Sequence, residues 1–113
     1  MNRGEVWEVN LDPTTGVEIN KTCPCVIEGR DSIGRLPLRI IVPLTNWRDE
    51  FTQAVWHVPV ESNSANGLTK KSSADTFQVR LISEKRLVQR LGKLSSEVMK
   101  KIGKGLTISL ALD

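Results

Sequence analysis

The sequence predicts a mostly-β protein: a small, strongly bent antiparallel sheet or barrel with a C-terminal helix packed on it. Three observations carry that reading. Short apolar runs with a period of two recur between residues 6 and 81, separated by Pro, Gly, Asn and Ser-rich turns. The period lengthens to that of a helix only in the last third of the chain. With 113 residues and 39% apolar side chains, the chain supplies one modest core, so residues 1–113 are read as one domain.

The elements follow in order. Val6-Trp7-Glu8-Val9-Asn10-Leu11 places Trp7, Val9 and Leu11 on one face, a half-buried strand. Asp12 to Gly16 is a turn or loop, because Pro13 presets φ and Gly16 accepts positive φ. Cys25-Val26-Ile27 reads as a second strand opened by Pro24. Leu38 to Val42, bounded by Pro37 and Pro43, is the strongest strand pattern. Val55 to Val60 is another, and Pro59 marks it as an edge or a bulge. Residues 61–76 read as a long exposed loop. Phe77 to Leu81 alternates, with Phe77, Val79 and Leu81 expected inward. Ser83 is expected to cap a short helix running to Leu91, stopped by Gly92. A second helix starts at Ser95 or Ser96, with Val98, Ile102 and Leu106 as its apolar stripe. Gly103 and Gly105 cost that helix about 1 kcal/mol each, so it must lean on tertiary packing.

Composition excludes several classes. Charged residues are 26% of the chain, an ordinary globular share, and no apolar run approaches the ~20 residues of a membrane-spanning helix. The N-terminus lacks the apolar stretch of a signal peptide, so a cytoplasmic location is expected. The net charge is 16 − 13 = +3. Residues 1–83 hold 9 basic and 10 acidic groups; residues 84–113 hold 7 and 3. A basic C-terminal third suits a polyanion or an acidic peptide partner, though a solvated helix face explains most such runs.

The chemistry-bearing residues are few. Cys23-Pro24-Cys25 with a single histidine cannot close a zinc site, so neither metal nor cofactor is expected. A Cys23–Cys25 disulfide is unfavourable, since Cα atoms two apart on a strand lie ~6.6 Å apart, near the bridging limit. Cys25 is read as a small buried apolar residue, and His57 as a strand-face residue rather than a general base. There is no Ser-His-Asp set, phosphate loop or dinucleotide fingerprint. What remains is Glu18, Lys21, Thr45, Asn46, Lys70, Lys71, Gln78 and Arg80, interleaved with Trp47, Phe51 and Trp56. Basic groups neutralise phosphates and aromatic faces stack bases.

Longer stretches are more specific. Arg3-Gly4-Glu5-Val6-Trp7 through Leu11-Asp12-Pro13-Thr14-Thr15-Gly16-Val17-Glu18 resembles the opening signature of MazF/PemK-type toxins, the ribonucleases of bacterial toxin–antitoxin pairs. The resemblance continues through Lys21-Thr22-Cys23-Pro24, Val42-Pro43-Leu44-Thr45-Asn46, Asn66-Gly67-Leu68, Ser72 to Arg80, and Arg86-Leu87 to Gly92. It implies an SH3-like barrel of the PemK/CcdB type and a homodimer. It also implies metal-independent, sequence-specific cleavage of single-stranded RNA, inhibited by a MazE-like antitoxin laid across the groove. RNA carries its own nucleophile, the 2′-OH; alignment with the adjacent phosphorus supplies ~7–11 kcal/mol, and fixed cationic donors stabilise the phosphorane. The products would be a 2′,3′-cyclic phosphate and a 5′-OH.

On this resemblance the catalytic positions are Cys23 and Thr45, and the RNA-binding positions are Glu18, Lys21, Asn46, Gln78 and Arg80. One departure matters. The family keeps arginine where this chain has Cys23, a bidentate cation replaced by a weak donor whose thiolate repels phosphate. Losing one such contact costs ~10²–10³ in rate. A second departure puts Phe77 where many members have Asp, and no acidic role is carried onto Asp75. The first reading is therefore an endoribonuclease impaired at Cys23. The alternatives are an inactive RNA- and antitoxin-binding homologue and, from the neighbouring family of the same fold, a gyrase poison. The ending Ala111-Leu112-Asp113 lacks the tryptophan-bearing tripeptide of the gyrase type.

Overall fold

The computed structural model describes residues 2–11, 22–30 and 37–113. Seven antiparallel strands form one sheet: β1 (Glu5–Asn10), β2 (Thr22–Ile27), β3 (Leu38–Asn46), β4 (His57–Val60), β5 (Ser72–Asp75), β6 (Arg80–Ser83) and β7 (Leu87–Lys93). One helix, α1 (Ser96–Ser109), follows. The order across the sheet is β4-β5-β3-β2-β1-β7, with β6 also on β3. β3 is the hinge of the layout. One edge pairs β2; the other pairs β6 through Ile41↔Arg80 and then β5 through Leu44↔Ala74. The expected class holds, mostly β with a C-terminal helix. The sheet is barrel-like but open, since no pairing joins β4 to β7 among the described residues.

Two apolar clusters lie on opposite faces. Val6, Val26, Val42, Leu44, Val58 and Ile102 belong to the first, under α1; Val9, Cys25, Ile27, Ile41 and Ile82 form the second. Strand alternation sends consecutive β3 residues to opposite faces, which is why Ile41 and Val42 are both fully buried. Pro59 does sit on an edge strand, β4, and Cys25 is fully buried, both as expected.

Helix α1 starts as expected. Ser95 is its N-cap, its Oγ accepting from Val98 N–H at 3.2 Å. Met99 and Ile102 are buried, and Val98 and Leu106 pack beside them. Burying a side chain of that size contributes about 1.5–3 kcal/mol, which outweighs the glycine penalty of about 1 kcal/mol each. Gly105 also has a positive use: a Cβ there would lie 2.9 Å from Thr76 Cγ2 and 3.1 Å from Val58 Cγ2.

Three expectations are corrected. The helix expected from Ser83 to Leu91 is a 3-10 turn, Glu84–Arg86, followed by strand β7. Ser83 still caps, its Oγ accepting from Lys85 N–H, but the open edge of β1 then captures the backbone through Val9↔Leu87 to Glu5↔Lys93. Gly92 is no helix stop; it lies where a Cβ would strike the backbone of residues 65 and 66. The loop expected over 61–76 contains β5, whose four residues are all buried. Its polar side chains are satisfied individually, Ser72 by Lys70 O, Ser73 by His57 and Asp75 by Gln78. Finally, a 3-10 turn at Thr76–Gln78 resets the phase of the following strand. Phe77 and Leu81 are 61% and 57% exposed, and Ile82 points inward in their place, while Val79 packs on the first cluster. The turn at 12–16 lies outside the described residues.

The two helix glycines separate cleanly. Gly103 has no heavy atom within 4 Å of a Cβ position, so Gly103→Ala should raise stability by about 1 kcal/mol. Gly105→Val should lower it by about 1–3 kcal/mol through overpacking. Urea unfolding midpoints of the two variants measure both signs.

Candidate active site

Two prolines shape the site. Pro24 lies in β2 opposite Glu8, and Pro43 lies in β3 opposite Cys25. Neither has an N–H to give a ladder. The β2–β3 pairing ends at Cys25↔Pro43. Beyond it β3 continues, paired on its other edge with β5, into exposed Thr45 and Asn46. Counting on in register brings Cys23 level with Thr45 at the same strand end.

Alternation then sorts the side chains. Cys23, Thr45 and Arg80 fall on the face of the second apolar cluster, in phase with Cys25, Ile41 and Ile82. Arg80 is exposed and makes no ion pair or hydrogen bond through its side chain among the described residues. Its charge is felt at both sulfurs, favouring thiolate at each. Thr45 stands opposite Ser73, whose Oγ is 2.8 Å from His57 Nδ1. The His57 ring lies flat on Phe51, centroids 3.7 Å apart and planes within 2°. His57 is a strand-face residue as expected, yet its hydrogen bond reaches the residue beside Thr45. Sequence spacing gave no sign of that row. Its signal is the β5 register, which the sequence hides inside a stretch of loop-like composition.

Gln78 is exposed on the 3-10 turn, where its Nε2 donates to Asp75 Oδ2 at 2.8 Å. Asp75, 7% exposed, also accepts from Phe77 N–H. The aspartate thus holds the turn that aims Gln78, a structural role. Asn46 departs from the expected group: one residue past Thr45, it faces the opposite side of β3 and lines a separate cleft. Glu18 and Lys21 lie outside the described residues. Among the described residues no cluster of three or more His, Cys, Asp or Glu side chains could hold a metal ion.

The cysteines are unbridged, with Sγ atoms 3.9 Å apart. Cys23 is half-buried and its thiol is held below the ordinary range. The hydrogen bond with Cys25 is the main cause, helped by Arg80 and opposed by burial and by Glu8. Cys25, fully enclosed, is pushed up strongly by that same hydrogen bond and by desolvation. The pair therefore concentrates negative charge on Cys23, the sulfur nearer the open face.

That polarity has a chemical readout. In the native protein iodoacetamide should alkylate Cys23 and spare Cys25. The rate should rise with pH through a midpoint below that of an unperturbed thiol. Cys25→Ala should move the midpoint up by removing the hydrogen bond, and Arg80→Gln should move it up by less. Mass spectrometry of peptides after timed quenching reads both.

Known proteins share this chain's sequence pattern and fold. The sequence profile described as "PemK-like, MazF-like toxin of type II toxin-antitoxin system" matches residues 2–110. The chain is 28% identical over 118 residues to Endoribonuclease MazF9 of Mycobacterium tuberculosis, covering 99% of this chain and 98% of that protein. In fold it is similar to the M. tuberculosis toxin MazF-mt6, with a TM-score of 0.77, 21% identity, and coverage of 96% and 98% of the two chains. It is also similar to a Deinococcus radiodurans MazE-MazF structure, with a TM-score of 0.81, 16% identity, and coverage of 100% and 97%. A mycobacterial endoribonuclease in complex with its cognate antitoxin gives a TM-score of 0.73 at 21% identity, covering 100% of this chain and 97% of that one. With the profile spanning all but the first residue and the last three, this chain belongs to the PemK-like, MazF-like toxins of type II toxin–antitoxin systems.

Proposed function

We propose that this protein binds single-stranded RNA across the face that carries Cys23, Thr45 and Arg80, and that it cleaves it through the 2′-OH at a rate held down by Cys23. The carrying observation is the alignment of those three side chains on one face at an open strand end, where exposed Arg80 makes no side-chain hydrogen bond or ion pair among the described residues. In the reaction a bond forms between the 2′-oxygen and phosphorus, and the bond from phosphorus to the 5′-oxygen breaks. A proton leaves the first oxygen and one reaches the second. Charge grows on the non-bridging oxygens, where Arg80 donates a charge-assisted fork and Thr45 a hydroxyl hydrogen bond. Gln78, held by Asp75, has its amide oxygen left to accept from a base or a sugar. Cys23 offers a sulfur of enhanced thiolate character at the place where the family carries arginine, so it opposes the developing charge.

That last point favours a second reading, in which the chain captures RNA and antitoxin without appreciable cleavage. One substitution decides between them. Cys23→Arg should cut a labelled oligoribonucleotide library at least ~10²-fold faster than the parent, the scale of one transition-state donor. EDTA should leave that rate unchanged, a 2′-deoxy sugar at the cut site should abolish it, and Cys23→Ala should behave like the parent. Equal rates for Cys23→Arg and the parent would remove position 23 from the reaction and leave the binding reading.

An antitoxin segment rich in acidic and apolar residues suits the same face, meeting Arg80 with a carboxylate and the aromatic side chains beyond Thr45 with apolar groups. The chain also exposes apolar side chains away from that face, among them cross-strand neighbours Ile40 and Leu81, together with Val88 and Ile108. They support a C2 homodimer burying ~1,200–2,000 Å². Light scattering at tens of micromolar should return twice 12.6 kDa; a monomer mass there would overturn the dimer.

A further inference from the structure

We infer that Cys23, Cys25 and Arg80 together form a thiol–disulfide exchange site for an anionic low-molecular-weight disulfide, and that the adduct left on Cys23 reversibly closes the face it stands on. The exchange site stands on the geometry of these three groups. The closing of the face rests on the RNA-binding reading above.

The three groups divide the work by position. Cys23 is half-buried at the open strand end, so a small reagent can reach its sulfur. Cys25 is fully enclosed, and its Sγ lies 3.9 Å from that of Cys23. Their hydrogen bond and the Arg80 charge hold the Cys23 thiol below its ordinary range, which raises the thiolate fraction that exchange requires. Arg80, from β6, is exposed on the same face and makes no side-chain hydrogen bond or ion pair among the described residues. Glu8, the carboxylate that opposes charge on Cys23, faces the other side of the sheet with Pro24. A reagent approaching the sulfur from its open side therefore meets the guanidinium first, and a carboxylate on the reagent finds a charge-assisted partner there.

The step balances within its two reactants. Cys23 gives its proton to solvent, and its thiolate bonds one sulfur of the reagent. The reagent's S–S bond breaks, and its other sulfur leaves with the electron pair and takes a proton from water. Cys23 is oxidised to a mixed disulfide, and the released half is reduced to a thiol. Exchange stops there. A bridge to Cys25 would have to close 3.9 Å to ~2.05 Å. Strand β2 is held against that movement by Cys23↔Val9 and Cys25↔Trp7 on one edge and Cys25↔Pro43 on the other. Burial also keeps the Cys25 thiol protonated, and its S–H has a second acceptor in Cys23 O at 3.7 Å. A protonated, enclosed thiol is a poor nucleophile toward the mixed disulfide. The adduct therefore lasts until an external thiol attacks it. While it lasts, it adds bulk and negative charge to the face of Thr45 and Arg80, where an RNA phosphate would sit.

The test incubates the reduced full chain with glutathione disulfide, which is anionic, or with cystamine, which is cationic. Each rate is divided by that of a free cysteine peptide with the same reagent, and mass spectrometry maps the product. The chain should gain one glutathionyl group, on Cys23. The normalised rate should favour glutathione disulfide over cystamine by about tenfold at low salt, the lower end of electrostatic steering. Added salt and Arg80→Gln should each bring that ratio toward one. An intrachain disulfide, an adduct on Cys25, a ratio near one in the parent, or a ratio unchanged in Arg80→Gln overturns the site. Fluorescence anisotropy with a labelled oligoribonucleotide then compares the reduced chain with the adduct. The adduct should bind at least about tenfold more weakly, the loss of one strong charged contact, and dithiothreitol should restore binding. Binding unchanged by a complete adduct overturns the closing of the face. No RNA binding by the reduced chain removes the RNA reading and the closing with it, while the exchange chemistry is decided separately by the reagent ratio.

Discussion

The absence of two N–H groups organises this molecule. A pair of neighbouring antiparallel strands normally stays zipped to its ends, because each unpaired N–H or C=O costs free energy. Pro24 removes the donor where β2 and β3 would otherwise continue together, and Pro43 turns its missing N–H to the other edge of β3, where the strand passes from β6 to β5. The ladder stops at Cys25↔Pro43, β3 runs on against β5, and the residues past the break are delivered to the surface. Cys23 and Thr45 owe their accessibility to that break, as do Pro24 and Asn46 on the reverse side. The same strand keeps fully buried Ile41 and Val42 only a few residues away, so an open end is mounted on a rigid base.

Electrostatics at the break runs against what phosphoryl chemistry asks for. A transferring phosphorus needs fixed positive charge in advance. Here, among the described residues, the Arg80 guanidinium serves a face on which the hydrogen bond from Cys25 holds the Cys23 thiol below its ordinary range. That hydrogen bond stabilises charge on the more open sulfur and suppresses it on the enclosed one.

Around this end the fold has spent polar groups with care. Ser72, Ser73, Asp75 and Asn66 are buried and each is hydrogen-bonded. An unsatisfied buried polar group costs about 1–3 kcal/mol, so a four-residue strand with no large apolar side chain survives between β3 and β4 only with those bonds. Among the described residues the exposed Arg80 at the same strand end makes no side-chain hydrogen bond or ion pair.

The sequence by itself determined the β1 and β3 strands, the edge position of β4, the capped C-terminal helix and the family. Those features are written locally, in alternation, in Pro and Ser placement, and in short ordered motifs. It misread residues 83–91 as helix and 72–75 as loop because strand formation there depends on partners distant in the chain. Leu87 and Leu91 repeat at helical spacing, but the free edge of β1 offers a ladder that a lone turn of helix cannot match. Ser72–Asp75 shows no strand pattern at all until β3 and β4 close over it. Side-chain direction at the site was likewise a tertiary decision. Thr45 and Asn46 are neighbours in one motif, and a period of two sends them to opposite faces. Residue types and order are one-dimensional information; which strand edge is left open, and what stands across from it, exists only once the sheet has formed.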